Sequence, residues 1–200
     1  QKEKSKSENK ELLREKQRQF YEPIKVKNNQ ISLEGQWLFK PDYELAEDET
    51  PYSPNASDKN WHLVTVPSFW NPVSFWNLTG NRGQAYAFRH LENQRCESQT
   101  FDYQKTKSGW YRQWIELPAN SKNSKLIVDF DAVAISSMIY FNGKFIDQHL
   151  GMFGSFSVDL TKYAQWGEKN LLAVYVSSET KSFSEKIGAI AVSVEVSEEM

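Results

Sequence analysis

The chain has 200 residues, 39% hydrophobic and 14% aromatic, which is the composition of a folded globular protein with one domain, or one domain and a tail. Lysine and arginine number 24 against 26 aspartates and glutamates, and the net charge of −2 gives no electrostatic reason to expect a nucleic-acid partner. The single cysteine, Cys96, excludes an internal disulfide and a cysteine-based zinc site, and no run approaches the ~18 apolar residues that cross a bilayer.

The first 29 residues are predicted to be a tail or a short helix ahead of the folded domain. Residues 1–10 are polar and charged, which predicts a mobile tail. Residues 11–20 place three apolar side chains among good helix formers, which allows a short amphipathic helix. Because the chain begins at Gln1 rather than Met, we expect that a signal segment or other chain was removed before it.

Short strands and irregular connections are predicted over the next stretch. Residues 31–33 and 36–39 have the pattern of two strands paired with each other. Residues 41–60 are acidic and contain prolines and small polar residues, so we predict an irregular connection whose charges are solvated. Residues 61–66 return to strand character, and Pro67 is predicted to end that strand.

A long insertion is predicted between residues 68 and 108. Residues 68–89 are rich in Trp, Phe, Asn and Gly without helical or strand periodicity, which is typical of a long structured loop. Residues 95–108 are polar and are predicted to be the tip of the insertion. The following residues 110–117 and 126–130 alternate as strands do, the first with one face partly wet and the second with Asp129 outward.

A β-hairpin is the best-defined local element. Residues 135–141 are β-branched and aromatic, Asn142-Gly143 accepts the positive φ angles of a type I′ turn, and residues 144–149 return with similar character. The remaining predicted elements are a break at 151–154, a strand over 155–160, a short helical turn over 159–163, a strand over 171–176 and a last strand over 187–196. Short strands joined by turn signals predict an antiparallel all-β sandwich or barrel.

Four motifs follow one another in the order of a known family. They are Leu33-Glu34-Gly35-Gln36-Trp37-Leu38-Phe39, Trp61 with Val66-Pro67, Gly109-Trp110-Tyr111-Arg112 with Leu117-Pro118, and the segment from Asn142 to Thr161. Together they resemble the N-terminal sugar-binding domain of glycoside hydrolase family 2, which contains β-galactosidases, β-glucuronidases and β-mannosidases. One departure is Met152, which stands where the family pattern has a second glycine.

The resemblance implies a fold for this chain and places the catalytic residues in a different domain. The expected fold is an antiparallel jelly-roll β-sandwich, galactose-binding-domain-like, over residues 30–180, with a short N-terminal helix or tail. Residues 181–200 would be a final strand or the start of a linker to a following domain. In this family the catalytic carboxylates lie on a (β/α)₈ barrel, which needs ~250 residues of its own. We therefore assign no catalytic residue and expect this chain alone not to hydrolyse glycosides.

The aromatic insertion is the candidate sugar-binding segment. Trp and Tyr rings suit the apolar faces of sugars, and amide or guanidinium groups can orient the hydroxyls. The predicted substrate-binding residues are Trp70, Asn71, Trp76, Asn81, Arg82 and Tyr86. The alternative is that these aromatic side chains anchor the loop to the core or to a neighbouring domain.

No metal or cofactor site is predicted. His62, His90 and His149 are too scattered to suggest metal ligation, and His149 is expected to form hydrogen bonds to neighbouring hairpin backbone. By resemblance, the expected partners are carbohydrate and the catalytic barrel and neighbouring domains of the same parent protein. The expected location is the periplasm or outer surface of a bacterium. A free-standing lectin-like module and a structural interaction domain without sugar binding are the alternatives.

Overall fold

The computed structural model describes residues 2–27, 30–70, 100–151, 153–178 and 189–198. This part of the chain contains one α-helix, α1 (Lys2–Arg18), and twelve strands. The strands are β1 (Ile24–Lys25), β2 (Gln30–Ser32), β3 (Gly35–Pro41), β4 (His62–Val66), β5 (Ser68–Phe69), β6 (Ser108–Glu116), β7 (Ser124–Ala134), β8 (Ser136–Phe141), β9 (Lys144–Leu150), β10 (Phe156–Asp159), β11 (Lys169–Ser177) and β12 (Ala189–Glu198). No helix in these ranges is long and apolar enough to cross a membrane.

The strands form two sheets. The first has the order β4-β3-β6-β11-β8-β9, with β1 running parallel beside the end of β6, and the other pairs in it are antiparallel. The second has the order β10-β7-β12-β2, with β5 also paired to β12, and its pairs are antiparallel. The predicted all-β, antiparallel class is therefore confirmed.

The main core lies between the two sheets. Side chains from the first sheet, among them Trp37, Phe39 and Ile139, join one buried cluster with Val128 and Phe130 from the second. Alternation along β7 places Leu126, Val128 and Phe130 inward and leaves Asp129 and Asp131 at least partly exposed, as the sequence pattern predicts. The two sheets thus form a β-sandwich, while its jelly-roll connectivity stays a prediction.

The hairpin prediction is confirmed. Strands β8 and β9 pair in antiparallel register around Asn142 and Gly143, whose φ angles are +48° and +80°. The strand, turn and strand predicted after the hairpin correspond to β10, a 3₁₀ turn at Thr161–Tyr163, and β11. The predicted last strand corresponds to β12, which pairs with β7.

Several boundary and pairing predictions are wrong. The first two strands do not pair with each other, because β2 joins β12 in the second sheet while β3 joins β4 and β6 in the first. Helix α1 begins at Lys2, so residues 2–10 are helical and not a tail. The end of β4 is as predicted, since the strand stops at Val66 before Pro67, and Ser68–Phe69 then form β5, which pairs with β12 of the other sheet.

The face of β6 predicted to be partly wet is buried at Trp110 and Arg112 and partly exposed at Trp114 and Glu116, so the prediction holds only toward the end of the strand. Its inner face joins the sandwich core, and its outer face lies under the segment 42–60. Arg112, on that outer face, lies 3.1 Å from the Asp58 carboxylate and donates hydrogen bonds to the carbonyls of Ser53 and Ala56. Burial lowers the pKa of Arg112, and the charge of Asp58 opposes that effect. The acidic segment is therefore tied to the sheet rather than freely solvated.

His149 also differs from prediction. Its ring stacks on Phe156, with centroids 4.0 Å apart. Its Nε2 atom is buried and has no hydrogen-bond partner among the described residues. Stacking across the sandwich thus replaces the expected hydrogen bond from His149 to the hairpin backbone.

Candidate functional site

The residues on either side of the segment 71–99, which contains most of the candidate sugar-binding residues, pack on one aromatic ring. Trp70 precedes the segment 71–99 and is 2% exposed, and Phe101 follows it and is also buried. Both pack on Phe39 of β3, with ring centroids 6.0 Å from Trp70 and 4.9 Å from Phe101. Aromatic pairs at these distances add to the free energy of burial. The segment 71–99 therefore leaves and re-enters the sandwich at a packed base.

A 3₁₀ turn at Asp42–Glu44 fastens the chain that returns from this segment. The Tyr43 hydroxyl donates to the Asp102 carbonyl at 3.2 Å and accepts from the Asp102 backbone N–H at 2.8 Å. Burial raises the pKa of Tyr43 to about 12, although its hydrogen bond to Asp102 works in the opposite direction. The neutral phenol is thus the form that holds Asp102.

The first residue of the turn fixes it to the first sheet. The Asp42 carboxylate accepts a hydrogen bond from the Ser108 hydroxyl at the start of β6. It also accepts one from the Tyr175 hydroxyl of β11 at 2.8 Å. Since β6 and β11 are paired strands, Asp42 joins the turn to two adjacent strands of the sheet.

The third residue of the turn reaches the end of the insertion through a histidine. His62, at the start of β4, is 1% exposed. Its Nε2 lies 2.7 Å from the Glu44 carboxylate, and its Nδ1 lies 2.7 Å from the Thr100 hydroxyl. Because a carboxylate only accepts, Nε2 carries a proton and donates it in the hydrogen bond to Glu44.

The charge of Glu44 is stabilised in this arrangement. Burial alone would raise its pKa, but the hydrogen bond from His62 and the charges of His62 and Arg14 outweigh burial and lower it. The ring of His62 also packs beside Phe101, with centroids 5.3 Å apart. The turn and the base of the insertion thus form one connected unit.

Burial prevents Glu44, His62 and Thr100 from acting as a nucleophilic triad. A hydroxyl, an imidazole and a carboxylate in series occur in nucleophilic triads. Here, however, both Thr100 and His62 are buried, so a substrate has no access to the Thr100 hydroxyl. The described residues also contain no group of three or more His, Cys, Asp or Glu side chains that could hold a metal ion. We therefore assign Glu44, His62 and Thr100 a holding role.

Of the predicted sugar-binding residues, only Trp70 lies within the described ranges. Its burial against Phe39 places its ring in the base of the segment. The other five, Asn71, Trp76, Asn81, Arg82 and Tyr86, lie outside the described residues, as do His90 and Cys96. Their contact with sugar stays a prediction.

Sequence reasoning missed the residues that hold the base. Asp42, Tyr43 and Glu44 lie in the stretch predicted to be solvated. The described end of the predicted polar tip is also packed, since Phe101 and Thr106 are buried. No motif marks these contacts, because each joins residues that are remote in sequence.

A second surface feature is apolar. Phe145 on β9 is 51% exposed, Leu150 at its end 75%, and Phe153 beyond it 89%. Tyr140 of β8 packs edge-on to Phe145, with centroids 5.5 Å apart. Among the described strands β9 pairs only with β8, so these side chains lie along one edge of the first sheet. We call Phe145, Leu150 and Phe153 the edge patch.

The described residues form a two-sheet β-sandwich, with no (β/α)₈ barrel in the described ranges. The family described as "Glycosyl hydrolases family 2, sugar binding domain" matches residues 31–184, and the chain belongs to this family.

Curated relatives are enzymes much longer than this chain. A β-glucuronidase of Formosa agariphila is 27% identical over 125 residues, which cover 62% of this chain and 11% of the relative. The β-galactosidase BoGH2A of Bacteroides ovatus is 25% identical over 139 residues, which cover 68% of this chain and 14% of the relative. The matched residues thus span less than a sixth of the length of each relative.

Solved structures show the same fold. A glycosyl hydrolase family 2 member from Bacteroides cellulosilyticus superposes with a TM-score of 0.60 at 23% identity, over 86% of this chain and 21% of that one. At this level of identity the likeness supports the fold alone. It agrees with the two-sheet sandwich of the described residues.

Proposed function

We propose that this chain is the non-catalytic N-terminal sugar-binding domain of a longer family 2 glycoside hydrolase. It packs on the catalytic barrel, and residues 70–86 form one wall of the sugar pocket. The observation that carries this proposal is the base of the insertion, where Trp70 and Phe101 pack on Phe39. A rigid base lets a polar and aromatic segment reach a neighbouring pocket from a fixed position, which favours binding.

The edge patch supports the packing half of the proposal. Soluble monomers rarely leave large apolar side chains exposed side by side, and such patches mark surfaces that contact another protein unit. We propose that the edge patch faces the barrel or a neighbouring domain of the parent hydrolase.

The substrate proposal is a β-linked glycoside of the galactoside, glucuronide or mannoside type. It draws on the names of the relatives, which include both β-glucuronidases and β-galactosidases. We propose a periplasmic or outer-surface location in a bacterium, as the family resemblance implies. Cell fractionation with an antibody to this domain tests the location, and a cytosolic signal would contradict it.

The first test is the mass of the native protein by immunoblot. A species several times larger than the 23.3 kDa of this chain is expected. A native species near that mass would reject the hydrolase proposal in favour of a free-standing carbohydrate-binding module or a structural domain. Tryptophan fluorescence during titration with galactose, glucuronic acid and mannose would then separate those two.

The second test uses the full-length protein and 4-nitrophenyl β-galactoside, β-glucuronide and β-mannoside. Trp76→Ala and Arg82→Ala are expected to raise KM for the accepted substrate, since stacking or hydrogen bonding to the sugar is lost. The control is Lys59→Ala, an exposed residue of the segment 42–60. Unchanged kinetics in both loop variants would contradict a sugar-contacting role for the segment.

A further inference from the structure

We propose that Asn142 is a site of spontaneous deamidation that the folded domain keeps closed and that opens only when the hairpin turn leaves its neighbours. The turn is the one Asn-Gly pair in the sequence. Glycine has no side chain to shield its backbone nitrogen, so that nitrogen can approach the carboxamide of a preceding asparagine closely. The site is independent of the proposed sugar pocket.

The reaction requires the Asn142 carboxamide to turn toward the next peptide group. The Gly143 backbone nitrogen loses its proton and attacks Cγ of Asn142, a C–N bond forms, and the bond from Cγ to Nδ2 breaks as ammonia leaves. Water then opens the five-membered ring and gives aspartate or isoaspartate. Because the reacting atoms must first come into contact, a carboxamide held away from that nitrogen reacts slowly.

In the folded domain the Asn142 carboxamide is held at both ends. Its Nδ2 donates to the Tyr163 carbonyl at 2.9 Å and to Oδ1 of Asn170 at 2.7 Å. Its Oδ1 accepts from the Leu171 backbone N–H at 2.9 Å. Both amide hydrogens and the oxygen are therefore engaged. Rotation of the carboxamide toward Gly143 would break three hydrogen bonds at once.

The side-chain partner of Asn142 is itself fixed. Asn170 is 0% exposed, its Oδ1 also accepts from the Gln165 N–H, and its Nδ2 donates to the carbonyls of Gln165 and Glu168. Reversing this amide would set acceptor against acceptor, so its orientation is determined by its partners. An aspartate in place of Asn142 would present a second acceptor to Asn170 Oδ1 and to the Tyr163 carbonyl. Deamidation is therefore a one-way change, because two of the hydrogen bonds of the turn cannot form again.

Peptide mapping of the full-length protein by mass spectrometry tests the site. Trypsin releases residues 126–144, in which Asn142 is the only asparagine, and residues 113–122, in which the exposed Asn120 precedes a serine. The protein is incubated in mildly alkaline buffer with and without urea. Deamidation of Asn142 is expected to be at least about tenfold slower in the native protein than in urea, since each hydrogen bond corresponds to about a fivefold factor. The rate at Asn120, the internal control, should differ far less between the two conditions.

A variant tests the hydrogen bond to Asn170 directly. Asn170→Ala removes one acceptor of Nδ2 and is expected to speed native-state deamidation of Asn142 about fivefold, with the rate in urea unchanged. Lys169→Ala is the matched control, because this exposed neighbour pairs with Glu116 and does not touch the carboxamide. Hydrogen–deuterium exchange over residues 109–116 shows whether the sandwich stays folded in each variant.

The outcomes decide each part of the proposal. Equal rates at Asn142 in the native protein and in urea would overturn the closed site. If Asn170→Ala loosens the whole sandwich, the comparison of native and urea-treated unsubstituted protein decides instead. Asn142→Asp should show faster hydrogen–deuterium exchange over residues 160–171, and unchanged exchange there would overturn the one-way change. None of these measurements involves sugar, so failure of the proposed function would leave the deamidation site standing.

Discussion

The β8–β9 hairpin and the Asp42–Glu44 turn are both short turns of the chain. The hairpin is held by contacts between residues close in sequence, and the Asp42–Glu44 turn by contacts with residues far away in sequence. The hairpin joins strands separated only by Asn142 and Gly143. The turn is held by His62, Asp102, Ser108 and Tyr175, which lie 18, 59, 66 and 133 residues from their partners in it. The hairpin turn is therefore determined by adjacent residues, whereas the Asp42–Glu44 turn is stabilised by residues that only the folded domain brings next to it.

The largest expected effect is at Arg112, which joins the segment 42–60 to the first sheet. Arg112→Ala leaves Asp58 without its cation and removes two hydrogen bonds to backbone carbonyls. Loss of one member of a buried ion pair is expected to lower the free energy of unfolding by about 3 kcal/mol. Urea denaturation monitored by tryptophan fluorescence measures it, with Lys59→Ala as the exposed control. Equal midpoints for the two variants would show that the segment is held without Arg112.

The hairpin is tested at Gly143. Its φ of +80° is unfavourable for residues with a Cβ, and a Cβ there would lie 3.3 Å from Pro54 Cδ. Gly143→Ala is expected to cost about 1 to 2 kcal/mol in thermal unfolding. Gly154→Ala is the matched control, since a Cβ at Gly154 meets no atom within 4 Å. A similar loss in both variants would mean that the turn does not depend on the glycine conformation.

Tyr43 tests the contacts of the 3₁₀ turn. Tyr43→Phe removes both hydrogen bonds to Asp102 and keeps the ring. The expected loss is about 1 kcal/mol, with faster hydrogen exchange over residues 102–106 and no change at the hairpin. An effect spread evenly over the chain would contradict a local role for the turn.

The smallest expected effect is the pH dependence of Glu44. Its folded-state pKa is lowered, so its contribution to stability is present above the ordinary glutamate pKa and is lost as the pH falls through the lower folded value. The unfolded state binds more protons in that window, and stability therefore falls with acid. Glu44→Gln, which cannot titrate, should flatten the stability profile below about pH 4.5 relative to the unsubstituted chain. Superimposable profiles would show that Glu44 is not coupled to folding through its charge.

Periodicity predicted strands well and burial less well. For β7, alternation gave both the strand and its buried face. For β6 the alternation was present, but the segment 42–60 covers Trp110 and Arg112 on the face predicted to be partly wet, and only Trp114 and Glu116 there are partly exposed. Strand period reports which side chains share a face and does not report what packs on each face.

Composition misled at the acidic segment. Negative charges among prolines and small residues indicated a solvated connection. In the fold, Glu49 pairs with Lys40 at 2.7 Å and Asp58 with Arg112 at 3.1 Å. The order of charges along the sequence does not show which lysine or arginine on another strand will pair with each carboxylate. These ion pairs could therefore not be predicted.

The sequence by itself determined the antiparallel β class, the Asn142-Gly143 hairpin and the family, because these depend on turn chemistry, side-chain period and motif order within short windows. The tertiary structure alone decided that Trp70 and Phe101 share the ring of Phe39, and that Glu44 holds Thr100 through His62. Those contacts bring together five strand ends and connections that are distant in sequence. Phe39 and His62 are paired in register on β3 and β4, and Glu44, Trp70, Thr100 and Phe101 reach them only in the folded domain.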